Sequence, residues 1–209
     1  MQKVYFKSKY LLCGVLNAPT TADNRIVLLC HAGGNSNKES RITFDLEKNF
    51  QKIGISTFRF DFTGHGESEG KKQEFTIEQG VEDILCAMNF LRTKGYAHFI
   101  LLGASRGGVC ALRAAVKRKD LKCLVLISPT SKYEDFRERL LIAQKCTIPT
   151  LIIQGDKDKS VSLEKSRELC AAIPQCVLKV VKGADHRYTV SGTHQKRMSL
   201  TIRFIKKYF

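Results

Sequence analysis

His98-Phe99-Ile100-Leu101-Leu102-Gly103-Ala104-Ser105-Arg106-Gly107-Gly108 is the stretch on which the reading of the whole chain turns. An apolar run of strand length passes directly into Gly103-Ala104-Ser105-Arg106-Gly107, a G-x-S-x-G pentapeptide, and the residues from about Arg106 to Val116 predict a helix immediately after it. A sharp strand-to-helix turn lifts the serine hydroxyl clear of the sheet, and glycine on either side leaves room for that turn. The same turn sets Ser105 at a helix N-terminus, where free N–H groups favour developing negative charge.

Outward from this turn, strand-like runs alternate with helical periods. Val4–Lys7 and Tyr10–Leu16 predict an antiparallel pair, followed by a strand at Ile26–Cys30 and a helix near Lys38–Lys52, where Ile42, Leu46, Phe50 and Ile53 recur every three or four residues. After a strand at Ile55–Phe60, a second helix is expected to open at Thr76, where Thr76-Ile77-Glu78-Gln79 fits a capping box, and to stop near Gly95. Beyond the serine turn come a strand at Cys123–Ile127, a short helical stretch near Tyr133–Gln144, a strand at Thr150–Gln154 opened by Pro149, a helix near Leu163–Ala172, a strand at Val177–Val181 and a terminal helix from about Gln195 to Lys207. A strand pair followed by repeated strand–helix units implies a mostly parallel sheet between helix layers, with the functional loops at the carboxyl ends of the strands.

Composition sets the outer limits. The 209 residues, 43 % apolar and 26 % charged, suit one soluble domain over 1–209, and the longest apolar runs are strand-sized, so no membrane insertion is expected. The N-terminal residues lack a secretory cleavage pattern. Eight cysteines lie far apart with no C-x-x-C pair or zinc-finger spacing, and read as small buried hydrophobes in a reducing, cytoplasmic setting. The formal charge of +15 bears on attraction to anions, not on the fold. No helix-turn-helix, zinc pattern or aromatic-interleaved basic motif accompanies it, so nucleic acid is not an expected partner, whereas an acidic substrate remains open.

A serine hydroxyl needs a base within hydrogen-bond reach, and the base needs a carboxylate to fix its tautomer and steady its cation. Downstream, Gln154-Gly155-Asp156-Lys157-Asp158-Lys159 and Gly183-Ala184-Asp185-His186 both follow strand ends, in the order serine, acid, histidine. Of the five histidines, His186 alone has the place a base requires; His98 opens a strand, His194 begins the terminal helix, and His31 and His65 lie on earlier loops.

These segments, with His31-Ala32-Gly33-Gly34 and Asp61-Phe62-Thr63-Gly64-His65-Gly66-Glu67-Ser68, resemble the α/β-hydrolase superfamily over essentially the full chain. The chain is similar in particular to compact bacterial esterases of the cinnamoyl/feruloyl type and to serine aminopeptidase-like and monoacylglycerol-lipase-like groups. The resemblance implies an eight-stranded, mostly parallel sheet with helices on both faces. Ser105 is then the nucleophile, His186 the base and Asp158 the acid, since the family's acid closes a G-x-x-D loop after the seventh strand; Asp156 is the alternative. It also implies an oxyanion hole from the backbone N–H groups of Arg106 and Gly33, with Ala32 standing where glycine is usual. His65 and Asp185 read as loop formers. Only one short helix fits between Ser128 and Pro149, so no cap domain is expected.

The implied activity is cleavage of a small or medium carboxylic ester through an acyl-enzyme, without metal or cofactor and with activity rising with pH as the imidazole base loses its proton. A peptidase or thioesterase would use the same three residues, and a non-catalytic binding protein is the competing class. Arg106 is expected to start the helix in solvent or to meet an acidic part of the substrate. Oligomeric state is left open.

Overall fold

The computed structural model describes residues 1–19 and 23–208. Eight strands, β1 (Gln2–Lys7), β2 (Leu11–Asn17), β3 (Arg25–Cys30), β4 (Ser56–Phe60), β5 (His98–Ala104), β6 (Leu121–Ile127), β7 (Thr150–Gly155) and β8 (Cys176–Val181), form one sheet in the order β1-β2-β4-β3-β5-β6-β7-β8. β1 pairs β2, and β2 pairs β4, antiparallel; every other pairing is parallel. Parallel neighbours need crossovers, and the chain supplies them as α1 (Arg41–Gln51), α2 (Ile77–Thr93), α3 (Arg106–Ala115), α4 (Phe136–Ala143) and α5 (Leu163–Ala172), with α6 (Thr193–Ile205) closing the chain. This is the α/β-hydrolase architecture that the motifs imply.

The uninterrupted apolar runs are two interleaved faces. In β3, Ile26, Leu28 and Cys30 face one core and Val27 and Leu29 the other; β5 repeats the division with Phe99 and Leu101 against Ile100 and Leu102. The first core is filled by Ile84, Met88 and Leu91 of α2, Val109 and Leu112 of α3 and Leu169 of α5; Leu46 and Phe50 of α1 and Ile205 of α6 fill the second. Covering both faces is what makes these strands read as continuous hydrophobic segments. At the edge, β8 leaves Val177 and Val180 exposed.

Two local expectations are corrected. Thr76 caps α2 by accepting from the Gln79 backbone N–H, but the reciprocal half of the capping box is missing, because the Gln79 side chain donates to Asp83 instead. Cys170 and Cys176 are not isolated apolar fillers: the chain reverses between α5 and β8, bringing their Cα atoms to 5.4 Å, and they form a disulfide. Cys13, Cys30, Cys110, Cys123 and Cys146 are free and buried. Among the described residues, no helix is long and apolar enough to cross a membrane.

The segment between β6 and β7 holds only α4, which packs beside α3 and α5, so there is no cap domain. The carboxyl ends of β3, β5, β6, β7 and β8 therefore open onto a common edge, where the loops after β3, β5, β6 and β8 line one cleft.

Candidate active site

Ser105 is the residue between β5 and α3, and its backbone (φ 50°, ψ −116°) lies in a region that L residues seldom adopt. Strain of this kind costs on the order of 1–3 kcal/mol and persists only where packing enforces it. Here the two glycines of the pentapeptide do so. A Cβ on Gly107 would run into the carbonyl oxygens of His31 and Cys30, and one on Gly103 into the backbone of Gly107. The start of α3 thus lies against the end of β3, and Ser105 projects from the tight corner between them.

The loop after β8 brings His186 to this corner. Its Nε2 is 3.3 Å from Ser105 Oγ and its Nδ1 is 2.7 Å from Asp158 Oδ2. Asp158, on the loop after β7, has a fully buried carboxylate: Oδ1 accepts the backbone N–H groups of Ser160 (2.8 Å) and Val161 (2.9 Å), and Oδ2 also accepts from Gln154 Nε2 (2.9 Å). Burial by itself raises a carboxyl pKa, but the hydrogen bonds from His186, Val161 and Ser160 outweigh it and hold Asp158 below its ordinary value. Asp156 is turned away and accepts from the Gly183 N–H at 2.6 Å. Asp185 accepts from the backbone N–H and hydroxyl of Thr189, within its own loop.

Two residues that the sequence did not single out fix these loops. Tyr188, two positions after His186, is buried with φ 54°; its hydroxyl donates to the Ile153 carbonyl at 3.0 Å and lies 3.2 Å from Ser128 Oγ. Gln154 joins Asp158 to Ser166 through both ends of its amide. Tyr188 leaves no local signal, since its partners Ser128 and Ile153 are distant in sequence, whereas Gln154 bonds Asp158 four residues on, within a loop whose motif marks only the glycine and the acid.

Gly33 and Arg106 line the same cavity as Ser105 and His186. Arg106 is the first residue of α3, where a backbone N–H has no partner within the helix. Gly33 lies under the Arg106 side chain, so closely that a Cβ there would sit 2.9 Å from Arg106 Cδ. Ala32 is not strained by replacing glycine, because the positive φ in this loop falls on Gly34 (71°). The Arg106 side chain does not extend into solvent as one expectation had it. Its guanidinium lies between the rings of Phe75 (4.2 Å) and Tyr133 (4.4 Å) and donates to the Phe75 carbonyl.

The Asp61–Ser68 loop supports the cleft from behind. Asp61 is buried and accepts from the Lys38 backbone N–H (2.7 Å), the Lys38 ammonium (2.6 Å) and the Glu67 N–H (2.9 Å). His65 is packed against His31 and Phe75. Among the described residues, Cys13, Asp61 and Glu67 form a trio with metal-ligand spacing, but the Lys38 ammonium already pairs with both carboxylates. His31 donates from Nδ1 to the Ala32 carbonyl and accepts the Phe62 N–H on Nε2, and burial lowers its pKa to about 4, so it is a neutral ring.

The cavity over Ser105 holds about 540 Å³ and is open to solvent. A hydroxyl, an imidazole and a carboxylate in line, beside backbone N–H groups at the head of a helix, can shuttle a proton while negative charge builds on an oxygen.

Comparison with known proteins agrees with this fold. An uncharacterized protein of Rickettsia prowazekii is 25% identical over 207 residues, covering 89% of this chain and 82% of that protein. Proline iminopeptidase PfmaB of Pestalotiopsis fici is 31% identical over 156 residues, 72% of this chain and 51% of that enzyme. In structure the chain is similar to Est1E of Butyrivibrio proteoclasticus with ferulic acid bound, at a TM-score of 0.87 and 20% identity over 98% of both chains. Residues 21–142 match a family described as serine aminopeptidase, S33; that span includes Ser105 and ends before Asp158 and His186. With more than half its length matched, the chain belongs to the serine aminopeptidase S33 family of α/β hydrolases.

Proposed function

We propose that the protein is a serine hydrolase that cleaves a carboxylic ester of small or medium size through an acyl-enzyme. The observation that carries this reading is the unbroken line from Ser105 Oγ to His186 Nε2 (3.3 Å) and from His186 Nδ1 to Asp158 Oδ2 (2.7 Å), at the floor of an open cavity. Ser105 Oγ attacks the ester carbonyl carbon as His186 Nε2 takes the hydroxyl proton, and the resulting imidazolium is steadied by the Asp158 carboxylate. The tetrahedral oxyanion is held by the N–H groups of Arg106 and Gly33. The C–O bond to the alcohol then breaks, the alcohol leaving with the proton from His186. Water repeats the sequence on the acyl-enzyme, releasing the acid and restoring the Ser105 hydroxyl.

The same machinery accepts an amide, and the similarity to a proline iminopeptidase supports a peptidase as the second reading. The lack of a cap between β6 and β7 favours the ester, because nothing in that segment is large enough to enclose the amino end of a peptide. The test is turnover of short activated esters and of aminoacyl amides by the wild type and by Ser105→Ala. The variant is expected to fold and to lose ester turnover; hydrolysis undiminished in Ser105→Ala would refute the assignment, and faster cleavage of the amides would select the peptidase.

A further inference from the structure

Three arginines, Arg41, Arg106 and Arg187, line the cavity over Ser105, and among the described residues no aspartate or glutamate does; Asp158 lies behind His186. Elsewhere, several buried or half-buried cations are neutralised, Lys38 by Asp61 and Glu67, Arg59 by Glu47, and both Arg113 and Arg139 by Glu134, although buried Arg197 is not, and Arg41 and Arg187 are themselves exposed. Among the described residues, none of the three cavity arginines enters an ion pair. Two of them are nonetheless held in place, while the Arg187 side chain is exposed. Arg41 Nη2 donates to the carbonyls of Tyr188 (2.6 Å) and Arg187 (3.3 Å), which ties the start of α1 to the loop that carries His186. Arg106 is fixed on the opposite wall between Phe75 and Tyr133, and the loop bearing Tyr133 is held by Arg139, which donates to the Thr130 and Lys132 carbonyls.

A concave site with low-dielectric walls and charge of one sign concentrates its field on whatever enters, and guanidinium groups bind oxyanions by charge-assisted hydrogen bonds. The first turn of α1, which also lines the cavity, contains no acidic residue, so its dipole adds the same sign. We infer that the substrate is an anionic ester, whose negatively charged group lies against Arg41 and Arg187 while its carbonyl is presented to Ser105. This rests on the reading of Ser105 as the nucleophile.

Two matched substrate pairs test it: 4-acetoxybenzoate against 4-acetoxybenzamide for charge on the alcohol side, and phenyl hydrogen adipate against phenyl 5-carbamoylpentanoate for charge on the acyl side. In at least one pair, kcat/KM at low salt is expected to favour the anion by about tenfold, equivalent to about 1.4 kcal/mol. Added salt should shrink the preference, and Arg41→Gln/Arg187→Gln should bring the ratio toward one. Because Arg41 ties two loops together, Arg187→Gln alone serves as the second variant; its side chain is exposed, and it should lower the ratio in the same direction. Turnover of both members of each pair at equal rates overturns the inference while leaving the hydrolase reading intact. An anion preference that survives in both variants overturns the role given to these arginines. No turnover of any ester by folded protein overturns the esterase reading, and this inference with it.

Discussion

Replacing Asp158 by asparagine tests the acid assignment with a change of one atom. Asp158 accepts four hydrogen bonds, two on each oxygen: Ser160 and Val161 N–H on Oδ1, and Gln154 Nε2 and His186 Nδ1 on Oδ2. An amide offers one acceptor oxygen and one donor nitrogen. If the asparagine oxygen keeps the two backbone N–H groups, its NH2 meets the NH2 of Gln154 and donates to His186 Nδ1. That forces the imidazole proton onto Nε2, facing Ser105, so the ring can no longer accept the serine proton. If the amide is reversed, its NH2 faces two backbone N–H groups at under 3 Å. The first arrangement has one donor–donor conflict and the second has two, so the wrong tautomer is favoured. Turnover of an activated ester should fall by about 10⁴-fold, the scale of a wrong-tautomer triad, with a stability loss of about 1–3 kcal/mol from the unsatisfied donor. The assay is kcat on a short aryl ester with a thermal melt, set beside Asp156→Asn, whose carboxylate among the described residues serves only the Gly183 N–H and should lose no more than a few-fold. Asp158→Asn within tenfold of wild type, with Asp156→Asn inactive, would refute the reasoning.

Tyr188→Phe should cost about 1 kcal/mol in chemical denaturation rather than the larger penalty of an orphaned carbonyl, because Ile153 O retains the Ser128 N–H at 2.9 Å; a loss above about 3 kcal/mol would contradict this. Gly107→Ala directs a methyl group at the rigid His31 and Cys30 carbonyls, so α3 must move from β3 at about 1–3 kcal/mol; the melt should fall and ester turnover with it, and an unchanged melt would show that the corner is not tight. His31, with its pKa lowered from 6.5 to about 4, contributes on the order of 3 kcal/mol that is fully present above pH 6.5 and lost as pH falls toward 4. NMR titration should find its ring uncharged at pH 5; a protonated ring there would contradict the burial argument.

Much of the fold could be read because the central strands are two-faced apolar runs of strand length. Val27 and Leu29 serve one core while Ile26 and Leu28 serve the other, and both kinds of residue announce themselves as hydrophobic. The residues linked to Ser105 are legible for a related reason: His186, which meets Ser105, and Asp158, which meets His186, each lie just past a strand end, where a parallel sheet delivers its loops to one edge. Contacts made only in three dimensions were not legible. Gln79 was expected to complete a capping box, but Asp83 and the β1–β2 turn offered its side chain a better partner. Cys170 and Cys176 lack a motif spacing, and their pairing follows from the turn between α5 and β8. Arg106 was assigned to solvent or substrate by its place at a helix start, with no sign that Phe75 and Tyr133 would enclose it. The anchoring role of Tyr188 depends on Ser128 and Ile153 of the neighbouring strands, remote in sequence.

The central claim is that the Ser105 hydroxyl is activated by its position in line with His186 and Asp158. Treatment of the folded protein with a fluorophosphonate, followed by intact-mass measurement and peptide mapping, tests it most directly. One adduct per chain on Ser105, formed quickly in the wild type and greatly slowed in His186→Ala, is the predicted result. An unlabelled Ser105 in folded protein, or labelling that proceeds at the same rate without the imidazole, would contradict it.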